Sequence, residues 1–344
     1  MDEGRDRRNG GSPTLDEVAG LAGVSRATAS RAINGGNRVS PHAQAAVDAA
    51  VRRLRYTPNR AARSLVTRRT DSVAVVVPEP DERVFNDPFF AGTLRGVNEV
   101  LAERDLQLVL LLAKPGAEKS RTLRYLAQRH VDGAVVVSHH RDDGLPLHLA
   151  QLGLPCVFGG RPWTGADQAT YVDVDNVAGS REVTQVLVER GCRRIGVIGG
   201  PQDMTAAVDR LQGWREAMTA AGLPDDAVAF GDFTEASGER AATELLAAHG
   251  DLDGLAVASD LMASGALRVL AAAGRRVPDD IAVVGFDDLG VAERTTPTLT
   301  TVRQPITEMA ARATRLLLEL IDLGVPAAPA RLIIPPRLVR RASA

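Results

Sequence analysis

At 344 residues, with 44% hydrophobic and 24% charged side chains, the chain is long enough for two or three packed units and is composed like a globular protein rather than a disordered one. No run of about 18 apolar residues occurs, which excludes a membrane-spanning helix and predicts no membrane partner. The net charge of −2 conceals a division: residues 1–70 carry 13 arginines against 6 acidic residues, a balance of +7, and residues 71–344 carry 28 basic against 37 acidic groups, a balance of −9, so one end suits an anionic partner.

The opening segment MDEGRDRRNGGSP is polar and has no apolar stretch of signal-peptide type, which predicts a cytoplasmic chain. Thr14-Leu15-Asp16-Glu17 has the spacing of a capping box, in which the Thr14 hydroxyl accepts from the Glu17 amide and the Glu17 carboxylate reaches back. A helix with the apolar stripe Leu15, Val18, Ala19 and Ala22 starts there. Gly23-Val24 ends it, and Ser25 caps a second helix from Arg26 to about Asn34, stopped by Gly35-Gly36. Ser40-Pro41 then starts a third, with Val47, Ala50, Val51 and Leu54 on one face. Helix, glycine-containing turn and helix make a helix-turn-helix, whose second member lies in the DNA major groove.

That second helix begins Ser25-Arg26-Ala27-Thr28-Ala29-Ser30-Arg31, with small polar residues and two arginines where a core helix carries large aliphatics. Arg26 and Arg31 can donate in pairs to guanine, and Ala27 is small enough to meet a thymine methyl. Thr14, Ser25, Asn34, Arg38 and Ser40 sit at helix ends suited to phosphate. A three-helix unit of this kind is also compatible with a purely structural role.

From Ser72 onward, short apolar runs alternate with amphipathic stretches in the βαβ rhythm of a parallel sheet. The rhythm restarts after Tyr171-Val172-Asp173-Val174-Asp175-Asn176, with helices expected at 176–190, 209–221, 235–249 and 260–273, so two α/β lobes follow. Ligands of open parallel sheets bind at the carboxyl ends of strands, which makes the polar residues after strands candidates. Ser259, Asp260 and Asp287 qualify, although Asp260 can serve only as a helix cap and Asp287-Asp288 only as a turn; Arg210, within the expected 209–221 helix, reads as a surface pair. Gly196-Val197-Ile198-Gly199-Gly200 lacks the GxGxxG spacing, and neither a phosphate-binding GxxxxGK[ST] nor a nucleophile-elbow GxSxG occurs, so no enzyme and no cofactor are predicted. His139-His140 are adjacent and point apart without a carboxylate at helical spacing, which predicts a solvated loop and no metal site. Cys156 and Cys192 show no metal-ligand spacing and fit a reducing compartment.

The string from Thr14 to Glu79 resembles the N-terminal signature of the LacI/GalR, or lactose-repressor, family of bacterial transcriptional regulators. Asp16-Glu17-Val18-Ala19, Ala22-Gly23-Val24-Ser25, Thr28, Ser30-Arg31, Asn34, Val39-Ser40, Tyr56-Thr57-Pro58-Asn59 and Ala62-Arg63-Ser64-Leu65 carry the likeness, and weaker features continue to the C-terminus. The resemblance implies a ligand-responsive repressor that binds double-stranded operator DNA as a homodimer. Arg26, Ala27 and Arg31 would read bases, and Thr14, Ser25, Asn34, Tyr56 and Asn59 would contact the backbone. A hinge helix over 59–67 would fold on the operator and insert Leu65 into the minor groove; core packing is the alternative for Leu65.

The same resemblance implies a periplasmic-binding-protein-like sensor of two doubly wound lobes joined by three chain crossings. Its expected partition is 12–58 for DNA binding, 59–71 for hinge and linker, 72–172 plus 301–326 for the first lobe, and 173–300 plus 327–344 for the second. The return segment after Arg331 is thereby assigned to the second lobe. Arg210 would contact a small-molecule effector, with Phe233 as an aromatic wall and Phe89, Ser259, Asp260, Asp287 and Gln304 at cleft positions; a sugar or sugar derivative suits that set. Family members often carry aspartate after the strand equivalent to PCVFGG, where this chain has Gly160-Arg161. The chain stops at 344 without a heptad tail, so a dimer is expected rather than a coiled-coil tetramer. A solute-binding protein without DNA function is the alternative, and it would need export.

Overall fold

The structure is a computed structural model that describes residues 13–33, 39–57, 69–114, 116–324 and 328–344. It divides into two compact units, one ending at Thr70 and one starting at Asp71.

In the first unit, α1 (Leu15–Ala22), α2 (Arg26–Ile33) and α3 (Pro41–Leu54) pack around Val18, Ala19, Ala29, Ala32, Val47 and Ala50. The capping box forms: the Thr14 amide donates to Glu17 Oε2 at 2.7 Å, and the Glu17 amide donates to Thr14 Oγ1 at 3.3 Å. Ser25 and Ser40 cap the next two helices, accepting from the amides of Thr28 and Ala43. Gly23 takes φ +66°, the left-handed geometry a tight turn between α1 and α2 demands. Gln44 Nε2 donates to the Ala32 carbonyl at 3.2 Å and ties α3 to the end of α2.

The second unit holds two lobes. The first is a six-stranded parallel sheet in the order β11-β5-β4-β3-β1-β2, built from β1 (Ser72–Val77), β2 (Gln107–Leu112), β3 (Gly133–Val137), β4 (Cys156–Gly159), β5 (Tyr171–Val174) and β11 (Arg331–Ile334). Side chains alternate across it, as the two-residue period of a strand requires. Val73, Val75, Val77, Val135 and Val137 face α5 (Pro88–Ala102) and α12 (Ile306–Leu323), while Ala74, Val76, Ala134 and Val136 face α6 (Ala117–Ala127) and α7 (Leu145–Leu152). A short helix α4 (Asp81–Asn86) leads from β1 to α5.

The second lobe is a four-stranded parallel sheet in the order β7-β6-β8-β9, from β6 (Ile195–Gly199), β7 (Val228–Phe230), β8 (Gly254–Val257) and β9 (Ala282–Val284). Here α8 (Asn176–Arg190) and α9 (Thr205–Ala221) cover the face of Ile195, Val197 and Val284. The opposite face of Ile198, Leu255 and Val283 lies under α10 (Glu235–Ala248) and α11 (Asp260–Ala272). The helix pairs cross at glycines: a Cβ on Gly96 would strike the Thr307 carbonyl, one on Gly213 the Val177 carbonyl, and one on Gly265 the Glu235 carbonyl. Close backbone approach at those points lets the helices lie flat on their sheets.

The sheets draw the lobe boundaries differently from the sequence at the C-terminal return. Arg331–Ile334 pairs parallel with β5 at the edge of the first lobe rather than entering the second. Its short apolar run fits either sheet, and the open edge of β5 takes it. Pro335-Pro336 then ends the pairing, because proline donates no ladder hydrogen bond. Beyond it, β12 (Arg337–Val339) pairs antiparallel with β10 (Thr301–Arg303), which bridges to the second sheet at Val284–Thr300 and Asp287–Arg303. Thr301–Arg303 thus lies with the second lobe, and the passage into the first comes at Gln304-Pro305. The chain crosses between lobes after β5, before α12 and between β11 and β12.

Candidate functional site

On α2, burial follows the helical period. Ala29 and Ala32 are buried in the three-helix core, while Arg26, Ala27 and Arg31 are exposed on one side of the helix. Arg26 makes a loose pair with Asp16 at 3.5 Å, with both side chains largely in water, so it is worth little and yields readily to another anion. Thr14, Ser25 and Ser40 are exposed at the N-termini of α1, α2 and α3, and Tyr56 is half-buried against the unit's core. Asn34, Arg38, Asn59 and Leu65 lie outside the described residues.

Between the lobes, the carboxyl ends of both sheets frame a cleft of about 940 Å3 including its open mouth. Phe89, Arg210, Phe233, Ser259, Asp287 and Gln304 all line it. Asp260 does not. It is 1% exposed beneath the floor, where Oδ1 accepts from Thr301 Oγ1 at 2.6 Å and Oδ2 from the Asp288 amide at 2.7 Å. Its expected place among the lining residues is corrected accordingly: the carboxylate locks the Asp287-Asp288 turn to β10.

Arg210 stands at the centre. Its Nε donates to Asn176 Oδ1 at 2.9 Å, and its Nη1 donates to the Ala258 carbonyl at 2.6 Å and to Asp287 Oδ1 at 3.3 Å. The guanidinium carbon lies 3.9 Å from the centre of the Phe286 ring, a cation–π contact that fixes its plane. Asp287 has φ +124° and also accepts from Gln304 Nε2 at 2.5 Å, which joins the floor of the second lobe to the crossing before α12. Phe233, at φ +68°, is 8% exposed and lies directly over Gly200, where any Cβ would strike the ring.

Asp87, Asp173 and Asp287 bring carboxylates to the polar lining beside Arg83 and Arg210. Burial pushes the Asp287 acid up to about 6, with Asp87 adding repulsion and Arg210 and Gln304 opposing. Burial likewise raises Asp87 and Asp173, against the amide hydrogen bonds each accepts. Arg210 is pulled below its ordinary value by burial, against the attraction of Asp287, Asp173 and Asp260. The cleft therefore offers many acceptors and two guanidinium groups, Arg83 and Arg210, each already engaged by an acid, with a flat ring to one side. That arrangement suits a neutral ligand rich in hydroxyl groups and disfavours an anion.

Several lining residues escape a sequence reading. Asp87 caps α5 through the Phe89 amide at 2.9 Å, so its Asp-Pro pattern reads as a cap alone. Asp173 lies in β5 and Asn176 at the start of α8, and Asp173 accepts from the amides of Arg161 and Val174. Arg83, His139 and Thr205 also face the cleft. The expected solvated loop at His139-His140 is not found. His139 is 5% exposed, edge-on to Phe158 and within 3.3 Å of the Gly160 carbonyl, and His140 is clamped between carboxylates of opposite lobes. His139 packs within the first lobe, and the second lobe meets the pair through Asp203 at His140. Arg161, at the position that departs from the family's usual aspartate, bonds Asp209 of α9 through Nη2 at 2.6 Å and 2.7 Å.

Comparison with known proteins gives these shapes a context. Residues 14–59 match the bacterial regulatory proteins of the lacI family, and residues 184–344 match the periplasmic binding protein-like domain. The chain is 51% identical over 334 residues to the HTH-type transcriptional regulator CelR of Thermobifida fusca, covering 96% of this chain and 98% of that one. It is 34% identical to the HTH-type transcriptional regulator GalR of Escherichia coli K12, over 96% and 95% of the two chains. A solved transcriptional regulator CelR–cellobiose complex superposes with a TM-score of 0.78 at 49% identity, covering 96% of this chain and 100% of that one. The lac repressor dimer bound to operator and the anti-inducer ONPF superposes with a TM-score of 0.85 at 25% identity, over 97% and 99%. Similar along nearly its whole length to such regulators, the chain belongs to the lacI family of bacterial regulatory proteins and is a DNA-binding transcriptional regulator, not an enzyme.

Proposed function

We propose that this regulator is a cytoplasmic homodimeric repressor that holds a near-palindromic operator through the exposed side of α2 and is switched by a sugar in the interlobe cleft. The observation that carries the DNA half is the division of α2, with Ala29 and Ala32 in the core and Arg26, Ala27 and Arg31 turned to solvent. Guanidinium groups there can pair with guanine edges, and the small Ala27 leaves room for a thymine methyl. Thr14, Ser25, Ser40 and Tyr56 flank that surface, and the positive ends of three helices favour phosphate. Two-fold symmetry of a dimer calls for two matching half-sites.

The cleft is assigned to the effector, with Arg210, Asp287, Ser259, Gln304 and Phe89 as polar and edge contacts and Phe233 as the stacking wall. The likeness to a CelR–cellobiose complex supports a glucose disaccharide as the first sugar to try. Ligand that closes the lobes and DNA that selects one lobe arrangement would bias a single equilibrium, so each changes the affinity for the other. The reading as a solute-binding protein without DNA function lacks a use for residues 14–57. Cutting the chain at its domain junction tests the division: residues 71–344 should keep cellobiose binding by calorimetry and lose all operator affinity. Operator binding by that fragment would refute the assignment to α2.

A further inference from the structure

The loop after β3 makes an interlobe contact that the ligand lining does not require. His140 belongs to the first lobe. Its Nε2 lies 3.0 Å from Glu79 Oε1 of the same lobe, and its Nδ1 lies 2.9 Å from Asp203 Oδ2 of the second. A neutral imidazole carries one N–H and can donate to one of these oxygens; its other nitrogen would then face a carboxylate with lone pair against lone pair. The imidazolium donates to both.

The surroundings hold the carboxylates in place for that form. Glu79 is 3% exposed, and the same Oε1 accepts from Arg83 Nη1 and Ser138 Oγ, each at 2.6 Å. Burial would raise the Glu79 acid, but His140, Arg83 and Ser138 outweigh it and keep it ionised below its ordinary value. Asp143 accepts from the His140 amide at 2.8 Å, and the buried His139 adjoins it. From the same turn, the Arg141 amide donates to the Asp203 carbonyl at 2.8 Å and its Nη2 to the Gln202 carbonyl at 2.9 Å, both in the second lobe. A separate contact across the cleft, Arg161 to Asp209, uses a cation that stays charged at any working pH.

We propose that His140 is a clasp between the lobes that holds when its imidazole is protonated, so that acid favours the closed sensor whether or not ligand is present. Burial pulls the imidazole down, but the hydrogen bonds and charges of Glu79 and Asp203 prevail and raise it above the ordinary 6.5. Opening the lobes removes Asp203 and leaves Glu79, so the open state has the lower value. The closing contribution is full below the open-state value and is lost as pH rises through the closed-state value. Each unit between the two is a tenfold change in the closing equilibrium.

The test uses the intact protein without ligand. Imidazole nitrogen NMR of histidine-labelled protein, with His140 assigned by His140→Gln, should show it titrating above 6.5 in the wild type and at a lower pH in Asp203→Asn. Small-angle scattering between pH 5.5 and 8.5 should show the wild type expanding as pH rises through that titration. His140→Gln keeps hydrogen-bonding capacity without charge and should lose that step, whereas Asp209→Asn should open the lobes yet keep it. The cleft acids Asp87, Asp173, Asp260 and Asp287 remain in all variants and cancel in the comparison. An unchanged His140 titration in Asp203→Asn, or the same expansion in His140→Gln, overturns the clasp. Should His140→Gln not fold, His140→Asn takes its place for the assignment and for the scattering comparison. None of these readouts depends on which sugar, if any, the cleft accepts.

Discussion

Arg31 on α2 is exposed to water, whereas Arg210 on α9 is 7% exposed and held by Asn176, Ala258 and Asp287 over the Phe286 ring. The contrast extends to the units that carry them. The three-helix unit has a small core of alanine and valine and turns its cations outward, ready to exchange water and counterions for phosphate and base edges. The cleft balances its buried cation against raised carboxylates before any ligand arrives. A guanidinium in water is a probe of what approaches. One locked among acids is part of a preorganised wall, so its removal damages the protein before it damages recognition.

The sharpest way to break that contrast is Arg210→Ala. With the guanidinium gone, Asp287 keeps the Gln304 amide but loses its counter-ion, the Ala258 carbonyl loses the Arg210 donor in a buried setting, and stability should fall by about 3–5 kcal/mol, read by urea unfolding of the sensor. A loss below 1 kcal/mol would mean that the network is not preorganised. Next in size is pH. Because Asp287 is held at about 6 in the folded chain, against an ordinary 3.8, the folded state keeps a proton that the unfolded chain has released between those values. Its contribution therefore rises on acidification from pH 6 toward 4, on the order of 3 kcal/mol in full, and Asp287→Asn should flatten that part of the wild-type stability profile.

Arg31→Ala should leave stability unchanged and cost about 1–3 kcal/mol in operator affinity, with base preference relaxed at one position of each half-site. Equal losses on operator and random DNA would make Arg31 a phosphate contact only. Smallest is Thr14→Ala, which removes one side of the capping box and should cost about 1 kcal/mol in the helical unit alone, seen as a lower melting temperature for that unit with the sensor's unchanged.

Legibility in the sequence divides along the same line. Local chemistry was readable: the Thr14–Glu17 box, the Ser40-Pro41 start, the 176–190 helix and the cleft placement of Ser259 and Asp287 after their strands, while Arg210, Phe233 and Gln304 were placed in the cleft by resemblance to the family. Long-range pairing was not. The segment 331–334 carries strand periodicity but nothing that names its partner, so its sheet was misassigned. α9 begins at Thr205, four residues before the expected start, and its N-cap, Met204, has no side-chain cap that would mark the boundary in the sequence. Asp260 and Asp87 show how one acidic residue beside a helix start can sit below the floor or face the cleft, depending on contacts distant in sequence. The histidine pair at 139–140 draws its burial and its acidic partners from residues distant in sequence, Phe158 and Gly160 around His139, and Glu79 and Asp203 on His140.

Binding of a library of short duplexes by the intact protein, sequenced after retention and again after elution with cellobiose, tests the central claim most directly. The expected result is enrichment of a near-palindromic site whose half-site changes in the Arg31→Ala protein, and whose retention changes when the disaccharide is added. Retention of duplexes without any sequence preference, with and without sugar, would contradict it.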